Sequence, residues 1–159
     1  MPIMELDRTD RAILRILTQE GRVTNSALAE RVNLSESACL RRVRALEDAG
    51  VIEGYGAQVN PAKIGYPVSI FVSITLDRQQ QGGLEAFEQA VLKMPAVMEC
   101  YLMTGEFDYL LRIVVADIGD FERVHRQQLT RLPHVARVHS SFAVSTVLKS
   151  RALPMGWES

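Results

Sequence analysis

The sequence predicts an α+β protein in two parts: three short helices within residues 1–60, then strand, helix, strand, strand, helix, strand within 68–150. Three observations predict it. Apolar residues recur at helical spacing in three runs that end at Gly50. The segment 61–67, with Pro61, Gly65 and Pro67, then separates this pattern from the strict alternation of Val68–Leu76. Finally, Lys93-Met94-Pro95-Ala96-Val97 is echoed by Arg131-Leu132-Pro133-His134-Val135, each where helical spacing gives way to a strand-like run.

In chain order, Asp7 is the expected N-cap of the first helix, with Asp10 in its first turn, where an acid suits the helix dipole. Leu6, Ile13, Leu14 and Leu17 give its apolar side, and Gly21 ends it. Thr24 caps the second helix, whose inner residues are Ala27, Leu28 and Val32. Asn33-Leu34 makes the turn, Ser35 caps the third helix, and Gly50 stops it near Ala49. Two helices on a tight turn, the second bearing Arg41, Arg42 and Arg44 opposite Cys39, Val43 and Leu46, form a helix-turn-helix pattern. Val51–Asn60, with its Gly54-Tyr55-Gly56 turn, reads as a small hairpin, the wing of a winged helix-turn-helix.

Beyond the linker 61–67, a polar loop at 79–83 precedes a helix carrying Leu84, Phe87, Val91 and Leu92. Strands follow at 97–103 and 107–115, a helix from Asp117 or Asp120 through Leu132, and a last strand at 135–148. Phe87 and Phe121 stand at matching places in the two copies, and the second gap to proline is longer by about one helical turn. Two such units make a ferredoxin-like βαββαβ sandwich with both helices on one face. The strands are apolar on both faces (Ile70, Phe71 and Val72; Leu110, Leu111, Ile113, Val114 and Val115), so a second subunit is expected over the open face. Residues 151–159 read as a tail.

Composition fits a soluble globular chain: 47% hydrophobic and 23% charged. No run approaches the roughly 20 apolar residues of a membrane span, and Met1–Asp7 lacks the basic start of a secretory signal. Cys39 and Cys100 have no metal-ligand spacing, so reduced thiols in a cytoplasm are expected. Phosphate loops, nucleophile elbows, dinucleotide fingerprints and paired metal-binding histidines are absent, which argues against an enzyme and against a cofactor.

The formal charge of −1 gives no support for a nucleic-acid partner, and residues 1–60, with eight arginines against nine acids, are no more basic. DNA affinity must therefore come from local clustering and from repeated copies. Arg41 and Arg44 lie near one another on the third helix and Arg42 leans to the flank. The residues expected to face double-stranded DNA are Thr24, Ser35, Glu36, Ser37, Arg41, Arg42 and Arg44. The plainer alternative is an interaction module with a solvated arginine face.

In the second part, Asp108 is a carboxylate in an apolar strand, which calls for a cation. Arg112 or Lys149 is the structural choice; a ligand's ammonium, with backbone amides near Thr104-Gly105 holding its carboxylate, is the other.

Three stretches resemble the Lrp/AsnC (leucine-responsive, feast-or-famine) family of transcriptional regulators. They are Leu6-Asp7-x-x-Asp10-x-x-Ile13-Leu14, then Leu34-Ser35-x-Ser37-x-Cys39-Leu40-x-Arg42-Val43-x-x-Leu46-Glu47-x-x-Gly50-Val51-Ile52, and Gly105-x-Phe107-Asp108-Tyr109-Leu110-Leu111. Glu36-Ser37-Ala38 departs from the family pattern, in which proline is frequent at these places. The resemblance implies a DNA-binding regulator that dimerises through its sheet, assembles further, often to octamers, and responds to an amino acid. It further implies an effector site at Leu102, Met103, Thr104, Gly105, Phe107 and Asp108, with Ser140 and Ser141 near it. Asp108 would take the effector's ammonium and the 102–105 backbone its carboxylate. A metabolite-binding module without DNA function and a small ferredoxin-like enzyme are the rival classes.

Overall fold

The computed structural model describes residues 4–77, 81–149 and 154. They form two compact units, one over Val59–Thr146 and one built on the residues before it with the described chain from Val147 onward. The expected tail 151–159 lies outside the described residues except for Pro154, as do residues 79 and 80 of the expected polar loop.

The first unit holds α1 (Arg8–Gln19), α2 (Asn25–Arg31) and α3 (Glu36–Asp48). Asp7 caps α1: its Oδ1 accepts from the Asp10 amide at 2.8 Å, while Asp10 Oδ2 accepts from the Asp7 amide at 3.2 Å. Thr24 and Ser35 cap α2 and α3 in the same way, at 3.2 Å each. Asn33, at φ 55°, makes the turn between α2 and α3 in the left-handed region that asparagine tolerates. Ile13, Leu14, Ile16, Leu28, Ala29, Cys39 and Leu46 are buried together. Gly50, at φ 70°, closes α3, and the amides of Val51 and Ile52 both turn back to the Leu46 carbonyl.

The expected wing hairpin over 51–60 is not present; the segment holds no strand. Ile52 packs against the core of the first unit, but beyond it two glycines and exposed Tyr55 and Val59 leave no alternating apolar face to bury. The Tyr55 hydroxyl instead donates to Glu47 of α3 at 2.8 Å. In the 61–67 stretch, Pro61–Ile64 forms a 3₁₀ turn capped by Asn60 and ended by Gly65 at φ 94°.

The second unit contains β1 (Val68–Leu76), α4 (Gln81–Val91), β2 (Val97–Leu102), β3 (Tyr109–Val115), α5 (Ile118–Gln127) and β4 (Val135–Phe142). The four strands form one antiparallel sheet in the order β2-β3-β1-β4. Register is set by burial: Ile70, Val72, Ile74 and Leu76 of β1 share a face with Tyr109, Leu111, Ile113 and Val115 of β3. Phe87 and Val91 of α4, Val124 of α5, and Leu129 and Leu132 cover that face. This is the ferredoxin-like sandwich.

Three boundaries differ from the sequence expectation. Helix α4 begins at Gln81, so most of the expected polar loop at 79–83 is helical. Helix α5 stops at Gln127 and is followed by a 3₁₀ turn, Leu129–Arg131, rather than running to Leu132. Pro133 excludes a helical conformation from Leu132, which is extended at ψ 143°, so the extra turn of the second copy tightens instead of prolonging the helix. Strand β4 ends at Phe142, not Leu148, because its partner β1 begins at Val68. The last bond runs from the Ala143 amide to the Ser69 carbonyl, and Val144, Val147 and Leu148 beyond it are exposed.

One long-range polar contact fixes α3 against α1. Arg42 Nη1 donates to Asp7 Oδ2 at 2.7 Å and to Asp10 Oδ1 at 2.8 Å. Asp10 is the buried polar residue among the described residues of this unit, at 6% exposure. Removing the guanidinium leaves that buried carboxylate without its charged donor, a loss of about 1–3 kcal/mol. Arg42→Ala should therefore lower the melting temperature of the first unit by several degrees, measured by circular dichroism; an unchanged midpoint would refute the assignment. The amide of Asp10 and the Arg42 guanidinium hold the Asp7 carboxyl below its ordinary value of 3.8. A depressed folded-state value adds stability that is complete above the unfolded value and drains away as pH falls through the folded one. Urea unfolding between pH 6 and 3 should show this acid-side loss, and a smaller one in Asp7→Asn.

Candidate nucleic-acid interface and ligand corner

The direction of each α3 side chain follows from which positions the core takes. Cys39 and Leu46 are fully buried and Val43 is half-buried against the same cluster. At about 100° per residue, Ser37, Arg41, Arg44 and Asp48 then point away from the core. Arg41 and Arg44 are exposed and have no hydrogen-bonding or ion-pairing partner among the described residues. Along with Ser37, Leu40, Ala45 and Asp48 they line a shallow depression of about 510 Å³.

Arg42 departs from the expected DNA-facing set. Its guanidinium points back to Asp7 and Asp10, and those hydrogen bonds raise its pKa further. It orients α3 rather than presenting a charge outward. Thr24 and Ser35 are exposed at helix N-termini, but their hydroxyl oxygens already accept from Ala27 and Ala38; Ser35 Oγ also lies 3.3 Å from Ser37 Oγ. Glu36 is exposed, and its carbonyl accepts from Asn25 Nδ2 at 2.9 Å. Asn25 thus ties the start of α2 to the start of α3, a role that its local sequence does not signal.

In the second unit the chain turns between β2 and β3. The Met103 amide donates to the Asp108 carbonyl at 2.8 Å, and Gly105 sits at φ 122°, a conformation that favours glycine. Thr104, Gly105 and Glu106 are exposed, and their amides donate to no described residue. Asp108 is half-buried; its amide donates to the Ile74 carbonyl at 2.9 Å and its Oδ2 accepts from the Leu76 amide at 2.7 Å. The carboxylate is therefore held by the backbone of β1. Arg112, the structural candidate for its cation, pairs with Glu99, its cross-strand neighbour on β2, at 2.8 Å. Beside the corner, Tyr109 is buried against Phe87 and donates to Glu88 Oε1 at 2.7 Å; burial and that carboxylate both push its hydroxyl upward.

Leu102, Met103, Thr104, Gly105, Phe107 and Asp108 thus come together in one corner, whereas Ser140 and Ser141 do not join them within the chain. These serines pair with Val72 and Phe71, on the strand beyond β1 and farther along it than the Ile74–Leu76 end that meets Asp108. They also face opposite ways: Ser140 Oγ is buried without a hydrogen-bond partner, while Ser141 is exposed on the other face.

Among the described residues no group of three or more histidine, cysteine, aspartate or glutamate side chains is placed to hold a metal ion. No helix among them is long and apolar enough to cross a membrane.

Residues 69–153 match the Lrp/AsnC ligand binding domain and residues 6–53 a winged helix-turn-helix DNA-binding domain. The chain is 40% identical to the Bkd operon transcriptional regulator of Pseudomonas aeruginosa over 95% of its own length and 99% of that protein. It is 40% identical to the leucine-responsive regulatory protein of Escherichia coli K12, over 96% and 93% respectively. A Neisseria meningitidis transcriptional regulator, solved as an L-Met complex, superposes with a TM-score of 0.91 at 36% identity, over 96% of this chain and 98% of that one. The helix-turn-helix, the ligand-binding sandwich and relatives matched end to end make this chain a member of the Lrp/AsnC family of transcriptional regulators, which are DNA-binding proteins and not enzymes.

Proposed function

We propose that α3 enters the major groove through Ser37, Arg41 and Arg44, and that an α-amino acid bound at the 102–108 corner modulates DNA binding through the assembly of copies of this chain. The observation that carries this reading is the split of the α3 arginines: Arg42 is engaged inward, and Arg41 and Arg44 project outward with no described partner. Two long cations on one exposed helix face suit phosphate oxygens and the O6 and N7 acceptors of guanine. The corner supports the second half, since exposed amides at Thr104–Glu106 suit a carboxylate and Asp108 suits an ammonium. A solved relative with L-Met, and relatives named for their response to leucine, support the amino-acid class.

The open sheet face supports self-association. Phe71 and Tyr101 are exposed there beside half-buried Leu110 and Val114, with the Arg112–Glu99 pair among them. A second copy placed over this face removes the apolar surface from water.

Three measurements test the reading. A duplex selected by the full chain from a random pool should bind Arg41→Ala and Arg44→Ala at least about fivefold more weakly, with unchanged melting temperature. Undiminished binding by both variants would remove α3 from the interface. Calorimetric titration with each of the twenty amino acids should find a binder. Asp108→Asn, which keeps an acceptor for the Leu76 amide, should weaken that binder about tenfold or more and leave DNA retention intact; equal affinity would refute the corner. Light scattering should show an oligomer that Leu110→Glu reduces to smaller species, and an unchanged mass would place the interface elsewhere.

A further inference from the structure

Leu40 is the large apolar residue of α3 that the core leaves out. It is 38% exposed and takes no part in the buried cluster that holds Cys39, Val43 and Leu46. Its place is not arbitrary. At about 100° per residue, Leu40 and Arg41 bound an arc of the helix that contains Ser37, Arg44 and Asp48. All five line the same shallow depression on the outer side of α3. We infer that Leu40 is a specificity-determining residue that reads the C5-methyl group of a thymine, next to bases or phosphates contacted by Arg41 and Arg44.

The chemistry follows from what the major groove displays. Thymine is the one base there that offers a methyl group, and an apolar side chain recognises it by burying it. A leucine at the edge of this arc, beside Arg44, has polar base edges as its other neighbours in the groove, and these would lose water without gaining a hydrogen bond. The arrangement therefore selects thymine as well as excluding the alternatives. Leu40 and Arg44 are separated by one helical turn, about 6 Å along the axis, or roughly two base-pair steps. Since arginine pairs best with guanine, each recognised half-site should carry a thymine within about two base pairs of a guanine.

This inference rests on α3 being the DNA-reading helix, and its test separates the two claims. A duplex is selected from a random pool by the full-length protein, and each thymine is then replaced singly by uracil, which deletes the methyl group alone. At one thymine per half-site the wild-type chain should bind about fourfold more weakly, the effect of exposing one methyl group. Leu40→Ala should bind the thymine and uracil duplexes alike, and Leu40→Met, which restores an apolar side chain of similar size, should recover part of the discrimination. Because Leu40 lies outside the core, both variants should keep the wild-type melting temperature. Methyl discrimination that persists in Leu40→Ala, or is absent from every position in the wild type, would overturn the assignment while leaving DNA binding by α3 intact. Failure of Arg41→Ala and Arg44→Ala to weaken binding would instead overturn the reading on which it stands.

Discussion

The rotation of α3 about its own axis decides which side chains it presents outward, and a single charged contact helps to lock it. Burial of Cys39 and Leu46 fixes which side of the helix faces the core. The core alone leaves some freedom, because apolar contacts are non-directional. Arg42 supplies the direction, reaching two carboxylates that are themselves fixed by the capping box at the start of α1. Local capping and long-range orientation therefore share the same two side chains. Asp7 and Asp10 first organise the N-terminus of α1, and the oxygens that remain receive the guanidinium.

The second unit solves a similar problem with backbone groups. Asp108 is fixed to β1 through its own amide and one carboxylate oxygen, and its carbonyl closes the turn by accepting from Met103. Alternation in β1 and β3 places one face under the two helices, and the corner then follows from where β1 ends. A shift of one residue in this register would expose Ile70, Val72 and Ile74 and also carry Asp108 away from Leu76. The geometry of the corner thus depends on the hydrophobic pattern of two strands.

Much of this was legible in the sequence because it rests on periodicity and on caps. The three helix N-caps of the first unit, the stop at Gly50, the bounds of β1 and the order of strands and helices all follow from local patterns. What was not legible depends on partners distant in sequence. Helical phase sets Arg42 on the flank of Arg41 and Arg44, but only the position of α1, more than thirty residues earlier, turns it inward. The end of β4 is set by the start of β1, not by its own apolar residues, which continue to Leu148. The expected hairpin after α3 failed for the complementary reason: glycines and alternation suggest a turn, but a ladder requires a face to bury. The family resemblance implied that the two serines of β4 lie near the corner, yet only strand order shows how far they lie from it within one chain.

In the proposed function, the charge balance of the first unit gives assembly its purpose. Eight arginines within residues 1–60 meet nine acids, and some of those arginines are already engaged within the protein: Arg42 with Asp7 and Asp10, and Arg31 with Glu20. The unit thus offers phosphates no net positive charge, and each phosphate neutralised contributes to affinity roughly in proportion to the counterions released. On the proposed reading, one copy therefore binds DNA weakly at physiological salt. Joining copies makes the second contact intramolecular and can raise avidity by about 10²–10⁴ without any new side chain. A weakly charged reading head is thus the condition under which assembly controls occupancy. A strongly basic one would stay bound whatever its oligomeric state, and a ligand acting on assembly would have nothing to regulate.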